Sequence, residues 1–383
     1  MSYGSVGARP SSLYPQYALY SIGGGYNSMP GAMMSQIGNK DLTWEKTYTL
    51  GVGVDAVLFD RITLNLDYYK KKTTDLLYNV PVSGVTGWSI NYKNIGEVSN
   101  HGFEMTLGVD ILKRTDWDWN ISANLALNRN EIKKLYGDKP EIIIENAQSG
   151  IIGPANKILK PGYDIDSWYT TEWAGVDPEN GDPLWYMTDE NGNRVKTNDY
   201  AKASANPVIC GSSNPDFYGG FSTSLRWKNL DLSANFAYSV GGKVYNYMRM
   251  EFDSDGAYTD RNQMRLKDGW SRWQKKGDIA THPKAVYGNT SNSNSTSSRY
   301  LEDASYLRLR NLTIGYTFPI KKVFSNLRIY MAGENLFVLS GFSGIDPEVP
   351  PMNNGAATGV AGAVYPLSLI HISEPTRRRG ISY

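Results

Sequence analysis

Thiol and imidazole groups are scarce in this 383-residue chain. The single cysteine, Cys210, excludes an internal disulfide and any metal site built from several thiolates. The three histidines are His101, His282 and His371, and none lies three or four residues from another, as a helical pair of metal ligands would. The sequence therefore predicts no metal site, and no other cofactor is expected.

Excess charge and long apolar runs are also missing. Lys and Arg number 39 against 38 Asp and Glu, so the net charge of +1 gives no sign of a nucleic-acid partner. No apolar run reaches the length of about eighteen residues that a membrane-spanning helix needs. Met1 is not followed by the basic and apolar segments of a signal peptide, so a secreted or membrane protein would be in truncated or mature form.

Short apolar bursts separated by small polar residues dominate the chain, which is typical of strands and turns. Over residues 48–58 the even positions are apolar, while the odd positions hold Thr, Gly and Asp. The alternation resumes over residues 62–68 after Asp60 and Arg61. Because successive side chains of a strand point to opposite faces, this pattern predicts a hairpin of two long strands.

Three further hairpins follow from the same pattern, at residues 103–111 with 117–127, 217–227 with 230–238, and 312–318 with about 328–339. Together with an incomplete strand at residues 1–6, they predict about nine strands. Turns within the hairpins are short, whereas long polar stretches at 7–41, 130–215 and 242–303 connect the other strand ends. Loops of such length usually carry function.

The asymmetry of connections favours an antiparallel transmembrane β-barrel with long extracellular loops, and the strand length agrees. Trp117, Trp119 and Trp227 lie beside short turns, where an interfacial aromatic girdle belongs. Alternation alone would equally fit a soluble sandwich that buries its apolar face against a second sheet. The odd strand number suggests a partial barrel, about nine strands of a larger one.

Seven aromatic residues outside the alternating strands are candidate substrate- or partner-binding residues: Trp168, Tyr169, Trp173, Trp185, Tyr186, Trp270 and Trp273. Flat rings stack on sugars, while neighbouring Asp and Asn side chains bind hydroxyl groups. The alternative is that these rings pack the loops together or against a partner protein, because Trp and Tyr are also enriched at interfaces.

The remaining loop motifs predict structure rather than chemistry. Asn-Gly pairs at 180–181 and 191–192 favour tight turns over a calcium loop, so a small hairpin is expected at 175–196. Arg308 and Arg310 are predicted to line the upper part of the barrel interior or to pair with loop carboxylates. With 38 acidic residues available, a catalytic carboxylate pair would be a coincidence, so we expect no enzyme activity.

Eight blocks, spread over most of the chain, carry a resemblance to a known family. They are residues 2–7, 42–46, 67–77, 94–104, 175–183, 306–316, 332–337 and 344–348. In this order they resemble the C-terminal barrel of the SusC/RagA family of TonB-dependent outer-membrane transporters. The resemblance implies an all-β fold, the C-terminal portion of a plugged barrel of about 22 strands.

The same resemblance implies a function and a set of partners. The intact protein would import oligosaccharides, or less commonly peptides, across the cell outer membrane of a Bacteroidota-type bacterium. A SusD-like surface lipoprotein would act as a lid, and the TonB complex would engage a region N-terminal to this chain. Outer-membrane lipid would surround the barrel. The alternative function is that of a soluble extracellular carbohydrate-binding β-protein, and a surface glycoside hydrolase is a third hypothesis.

The C-terminal segment is expected to be foreign to the fold. Residues 1–366 are assigned to the barrel, and residues 367–383 are set apart because 367–377 resemble the translation of a sequencing-library adapter. The family would supply a final strand ending in an aromatic residue at this place. A genuine basic tail around Arg377 is the alternative.

Overall fold

The fold is taken from a computed structural model. It describes residues 1–10, 14–26, 29–81, 90–94, 96–135, 139–144, 155–260, 262–319, 327–348 and 359–362. The segment 367–383, expected to be an adapter artefact, lies outside the described residues.

Strands make up most of the described chain. The first nine are β1 (Ser2–Ala8), β2 (Leu19–Tyr26), β3 (Met29–Gln36), β4 (Glu45–Leu58), β5 (Ile62–Thr74), β6 (Leu77–Pro81), β7 (Ile90–Asn94), β8 (Glu97–Lys113) and β9 (Trp117–Lys134). Next come β10 (Ile142–Ile144), β11 (Asn156–Leu159), β12 (Ser167–Thr170), β13 (Trp173–Val176), β14 (Pro183–Thr188), β15 (Arg194–Thr197) and β16 (Val208–Ser212). The last are β17 (Phe217–Trp227), β18 (Leu230–Val240), β19 (Lys243–Asn246), β20 (Leu301–Asp303), β21 (Tyr306–Phe318), β22 (Leu327–Ser340) and β23 (Val360–Ala361).

Helices are few and short in the described residues: α1 (Tyr200–Ser204), α2 (Tyr247–Phe252) and two 3₁₀ turns at Tyr287–Asn289 and Ser298–Tyr300. Asp199 caps α1 by accepting from the backbone N–H groups of Ala201 and Lys202, and Asn246 caps α2 through Arg249 N–H. In the part of the chain that the structure describes, no helix is both long and apolar enough to span a bilayer.

One nine-stranded antiparallel sheet organises the chain, in the order β1-β4-β5-β8-β9-β17-β18-β21-β22. The prediction of one N-terminal strand followed by four hairpins is confirmed. The turn at Asp60 and Arg61 is also confirmed, with Arg61 N–H donating to Leu58 O at 3.1 Å. Strands β1 and β22 are the two edges of this sheet.

The two faces of the sheet differ as the alternation predicts. Leu50, Leu64, Leu107 and Leu232 point to the apolar face, where each remains partly exposed. The other five sheets of the described residues have two to four strands each and are built from the loops. Among the described residues, no second large sheet covers the apolar face, as a soluble sandwich would require.

The tryptophans beside the short turns form an aromatic cluster on the apolar face. Trp117 and Trp227 are direct cross-strand partners, and their rings stack with centroids 5.4 Å apart. Trp119 Nε1 donates to Thr223 Oγ1 at 2.9 Å. Because this bond satisfies the indole N–H within the sheet, the face can contact an apolar medium without leaving that donor unpaired.

The opposite face contains a close contact between an aromatic ring and a glycine. Tyr69 and Gly102 are cross-strand partners, and Tyr69 Oη donates to Asn128 Oδ1 on the next strand at 3.2 Å. A Cβ on Gly102 would collide with the Tyr69 ring and with Leu127 O. Residue 102 must therefore be glycine for Tyr69 to reach across three strands.

The Gly102→Ala substitution is expected to destabilise the large sheet by about 1–3 kcal/mol, because the added methyl group displaces Tyr69. The measurement is the urea midpoint of the full-length protein refolded in lipid vesicles. Gly108→Ala is the matched control on the same strand, since a Cβ there first meets Thr63 Cβ at 3.8 Å, an ordinary contact. Equal midpoints for the two variants would contradict this account.

The long connections fold into small sheets, which were predicted from the sequence only in part. Residues 175–196 were predicted to form a hairpin; the structure has the three-stranded sheet β13-β14-β15 there. The predicted turn before Gly192 is confirmed, with Asp189 N–H donating to Asn193 O at 2.9 Å. The connections 9–44 and 75–96 contain the hairpins β2-β3 and β6-β7, which the sequence analysis did not predict.

Candidate functional site

Above one end of the large sheet lies a region that we call the loop layer, comprising residues 139–144, 155–216, 241–260, 262–305, 341–348 and 359–362. It contains the sheets β10-β11-β12-β16, β13-β14-β15 and β20-β19-β23. An apolar cluster joins it to the large sheet, since Leu159 of β11 packs with Val98 and Ile132 at the ends of β8 and β9. The layer is therefore packed onto the large sheet rather than extending freely.

Trp168 is fully buried at the centre of the loop layer. Its Nε1 donates to Lys243 O at 2.8 Å, and its ring lies 6.1 Å from that of Tyr245. Tyr245 in turn packs edge-on against Tyr300 at 6.0 Å. These rings belong to one buried cluster, which joins β12, β19 and the 3₁₀ turn at Ser298–Tyr300.

Trp185 is also fully buried, in a second aromatic group. Trp173 packs against it edge-on at 5.7 Å, and Tyr200 of α1 does so at 5.2 Å. Both fully buried tryptophans, Trp168 and Trp185, pack the loops together, and no face of either indole is open to a ligand. For these two residues, the structure agrees with the alternative that the rings pack the loops together.

The other four candidates keep part of their surface exposed. Trp270 lies over the guanidinium of Arg249 at 4.4 Å, and Trp273 Nε1 donates to Pro178 O at 3.0 Å. Tyr186 stacks under Arg194 at 3.6 Å. Burial, followed by the nearby Glu141, raises the pKa of Tyr169. For these four and Trp173, which is also partly exposed, a binding role stays a prediction.

A buried ionic network, which the sequence analysis missed, holds the segment between β18 and β21 together. Asp255 accepts from Arg272 Nη1 at 2.6 Å, from Arg299 Nη1 at 2.5 Å and from Ser293 Oγ at 2.8 Å. Asp253 accepts from Arg249 Nε at 2.7 Å. Both carboxylates are fully or almost fully buried. Because water cannot solvate them there, these donors stabilise the charged form of each carboxylate.

His282 completes the network as a neutral donor. Its Nε2 lies 3.1 Å from Asp253 Oδ2, which requires Nε2 to carry the proton. Burial lowers the pKa of His282 and outweighs the attraction of Asp253, so the imidazole is uncharged near pH 7. Burial would raise the pKa of Asp253, but His282 and Arg249 outweigh it and lower that pKa to about 2. Among the described residues, no group of three or more potential ligands could hold a metal ion.

Arg308 and Arg310 pair with loop carboxylates, which confirms one of the two alternatives given for them. Arg308 is fully buried and its Nη2 donates to Asp346 Oδ1 at 2.5 Å. Glu348 accepts from Arg310 and lies 3.3 Å from Arg308 Nε. Strand β21 is thereby tied to the segment that follows β22.

Lys157 is a buried cation that crosslinks three loop segments. Its Nζ donates to Asp166 O at 2.9 Å and to Ser213 Oγ at 2.6 Å, and it lies 3.7 Å from the centroid of the Trp168 ring. Burial lowers the pKa of Lys157 to about 8, although Asp166 and Asp164 oppose that shift.

The burial of Lys157 gives the loop layer an expected pH dependence. The unfolded chain keeps this proton up to the ordinary pKa of 10.5, whereas the folded chain releases it near pH 8. Between these values the unfolded state binds more protons, so the free energy of unfolding rises with pH, by up to about 3 kcal/mol in total. Urea midpoints at pH 7.5 and 9.5, followed by tryptophan fluorescence, measure this rise. The Lys157→Met variant should not show this rise. An equal rise of the urea midpoint in both proteins would refute the assignment of the pH dependence to Lys157.

A cavity of about 340 Å³, lined by both polar and apolar residues, lies where the loop layer meets the large sheet. Ser239 and Tyr306, cross-strand partners at the ends of β18 and β21, form one wall on the polar face of the sheet. Asp166 and Ser213 of the loop layer also line it, as does Glu348. Lys157 contacts both Asp166 and Ser213, and Arg308 and Arg310 of β21 pair with Glu348.

Comparison with known proteins places this architecture in a family. The sequence profile of the family described as "TonB dependent receptor-like, beta-barrel" matches residues 1–246. The chain belongs to this TonB-dependent receptor family. The nine-stranded sheet is therefore part of an outer-membrane β-barrel, whose apolar face contacts lipid and whose polar face lines the lumen.

Two TonB-dependent receptors are similar to this chain in sequence. Receptor P3 of Formosa agariphila is 31% identical over 380 residues, which cover 92% of this chain and 36% of the relative. SusC of Bacteroides thetaiotaomicron is 31% identical over 348 residues, which cover 87% of this chain and 32% of the relative. The chain thus spans about a third of the length of each. Both relatives are TonB-dependent receptors by name.

Solved structures of the RagAB peptide transporter are similar to this fold. One matches with a TM-score of 0.77 and 29% identity, covering 95% of this chain and 39% of that one. The peptide importer in its "open-open" state matches with a TM-score of 0.73 and 28% identity, covering 94% and 37%. The expected resemblance to SusC and RagA is confirmed, as is the all-β partial barrel.

Proposed function

We propose that this chain is the C-terminal barrel portion of a TonB-dependent importer of oligosaccharides or peptides. The observation that carries the proposal is a lipid-facing antiparallel sheet with short turns at one end and a packed loop layer at the other. Likeness to SusC supports nutrient uptake, and likeness to the RagAB peptide transporter supports peptides as the alternative cargo. We propose no covalent chemistry on the cargo.

The loop layer suits a docking partner on the cell surface. Its buried aromatic clusters and ionic network hold the loops in a defined shape, and a preformed surface loses less entropy on binding. We propose that a SusD-like lipoprotein covers this layer and that cargo is held between the two. The partly exposed rings of Tyr169, Trp173, Tyr186, Trp270 and Trp273 are proposed contacts for the cargo or the lipoprotein.

Energy for uptake would come from outside this chain. We propose that a plug and a TonB-binding region precede residue 1 in the intact protein, and that the TonB complex displaces the plug. The polar face of β8 and β9, with Asn120, Ser122 and Asn124, would then line a hydrated path for the cargo.

The test is growth of the source bacterium after deletion of the full-length gene. We expect loss of growth on one class of oligosaccharide or peptide, and unchanged growth on the corresponding monomers. Complementation should need the full-length gene with its TonB-binding region, and a surface lipoprotein should co-purify with the product. Normal growth of the deletion strain on every polymer tested, with no co-purifying lipoprotein, would contradict the proposal.

For the chain itself, we propose that residues 1–366 belong to the barrel portion and that 367–383 derive from an adapter. Resequencing the source DNA across the codon for Leu367 tests this directly. An unbroken genomic reading frame that encodes Ser373, Glu374 and Pro375 would show that the tail is genuine.

A further inference from the structure

A row of basic side chains crosses the lipid-facing side of the large sheet near its loop-layer end. Lys70 of β5 and His101 of β8 are cross-strand partners, and so are His101 and Arg129 of β9. We call these three residues the basic row, and all three are exposed. On the other side of Lys70 its partner is Leu50 of β4, which lies on the apolar face. The basic row therefore shares a face with residues that contact lipid, where transport of cargo through the lumen gives it no role.

We propose that the basic row binds the phosphate group of a phosphorylated lipid in the outer leaflet of the outer membrane. Tyr68 and Phe103 are cross-strand partners two residues closer to the short turns than Lys70 and His101. Acyl chains can lie along this aromatic and apolar surface while the phosphate reaches the basic row. The long stem of a lysine suits such a place, because it contacts apolar surface while the ammonium group stays at the interface.

The height of the basic row on the barrel agrees with the position of lipid headgroups. Arg129 follows Trp119 by ten residues on β9. That separation is about 34 Å along the strand, or about 26 Å along the axis of a barrel whose strands tilt by about 40°. The apolar band of such barrels is about 25 Å tall, and Trp119 lies at its short-turn end. Since long loops mark the extracellular side, the basic row lies at the headgroups of the outer leaflet.

The two ends of the apolar face differ in charge. At the short-turn end, the described strand positions on this face hold apolar and aromatic residues and no charged ones. Examples are Leu58, Ile62, Trp117, Trp227 and Tyr316. Aromatic residues alone suffice to place a strand end at a membrane interface. The cations at the other end therefore indicate an anionic group that is specific to the outer leaflet.

Lys70 carries the positive charge that remains after the ion pairs near the basic row are counted. Arg129 forms a neutral pair with Asp216 at 2.9 Å, in which the side chains are 52% and 59% exposed. The neighbouring cations that also pair with carboxylates are Lys46, Lys72 and Lys133. Lys70 and His101, in contrast, have no side-chain partner in the part of the chain that the structure describes. One phosphate would supply the missing negative charge.

The spacing of the basic row lets its three side chains meet on one phosphate. Strands β5 and β9 lie on either side of β8, so Lys70 and Arg129 are about 10 Å apart at the backbone. Both side chains are long enough to converge above His101, whose imidazole has an N–H donor in either tautomer. Arg129 has further N–H groups besides the one that faces Asp216, and water screens that exposed pair.

The experiment uses the full-length transporter in a maltoside detergent, which contains no phosphate. The probes are lipid A and the same lipid A after enzymatic removal of its phosphate, and native mass spectrometry measures the bound lipid over a concentration series. We expect the dephosphorylated lipid to bind at least about tenfold more weakly. Lys70→Gln should weaken binding of lipid A about tenfold, because a charge-assisted hydrogen bond is lost, whereas Lys70→Arg should keep the affinity.

Lys71→Gln is the matched control. Lys71 is the next residue of β5 and lies on the lumen side, with its Nζ 5.1 Å from the centroid of the Tyr69 ring. This variant should change the affinity for lipid A by less than about twofold. The heat-modifiable gel shift of each variant verifies that the barrel is folded.

Several results would overturn the lipid site. They are equal binding of the two lipids, a Lys70→Gln variant that binds as well as Lys71→Gln, and a Lys70→Arg variant as weak as Lys70→Gln. Displacement of lipid A by an equal concentration of inorganic phosphate would also overturn it, because the acyl chains would then contribute nothing. The site requires only the outer-membrane barrel, so its failure would leave the importer proposal, which growth of the deletion strain tests, unchanged.

Discussion

Asp255→Asn is expected to weaken the loop layer by about 3–5 kcal/mol, since it removes one partner of a buried charge network. Arg272 and Arg299 would lose their shared carboxylate, and Arg299 is almost fully buried. Asparagine preserves size and can still accept one hydrogen bond, so the loss comes from the missing charge. Hydrogen exchange over residues 241–305 of the full-length protein should show faster opening, and limited proteolysis should cut the same segment.

Glu179→Gln is the matched control for this prediction. Glu179 pairs with Lys276 at 2.6 Å in the same loop layer, but the two side chains are 64% and 75% exposed. Exposed pairs of this kind contribute about 0–1 kcal/mol, because water screens the charges. If both substitutions left exchange unchanged, the network would not be what orders the segment between β18 and β21.

Leu107→Arg is expected to cost about 2–4 kcal/mol, because it places a charge on the lipid-facing side of β8 near mid-strand. The neighbouring substitution Thr106→Arg places the same side chain in the polar lumen, and its expected cost is below about 1 kcal/mol. Folding of the full-length protein into lipid vesicles over a urea series measures both.

The pair of variants tests which face of the sheet contacts lipid. Leu107 and Thr106 are adjacent in sequence and face opposite sides, so strand propensity and position are nearly matched. A greater loss from Thr106→Arg than from Leu107→Arg would mean that the polar face is the packed one. That result would favour the soluble carbohydrate-binding alternative over the barrel.

The barrel strands could be predicted from sequence because their signal is local. Each strand repeats its pattern every two residues, and short turns such as that at Asp60 keep partners close in the chain. The hairpin of β4 and β5 follows from this periodicity alone. The register between one hairpin and the next could be determined only from the structure. The same holds for the bulges that break the alternation beside Asp110 and Asn235.

The loop layer could not be predicted in the same way, because its contacts join distant segments. Trp168 donates to Lys243, 75 positions away, and His282 binds Asp253, 29 positions away. No periodic pattern marks such pairs. The aromatic residues were recognised as unusual for loops, but whether a ring is buried or open depends on which segment folds over it.

The two unpaired margins of the large sheet have a practical consequence for producing the protein. Strand β1 is exposed along its whole length and pairs only with β4, while β22 has β21 on one side only. Free backbone N–H and C=O groups along such edge strands form hydrogen bonds with strands of other chains, which leads to aggregation. Expression of this chain by itself is therefore expected to yield inclusion bodies, and biochemical work should begin from the complete reading frame.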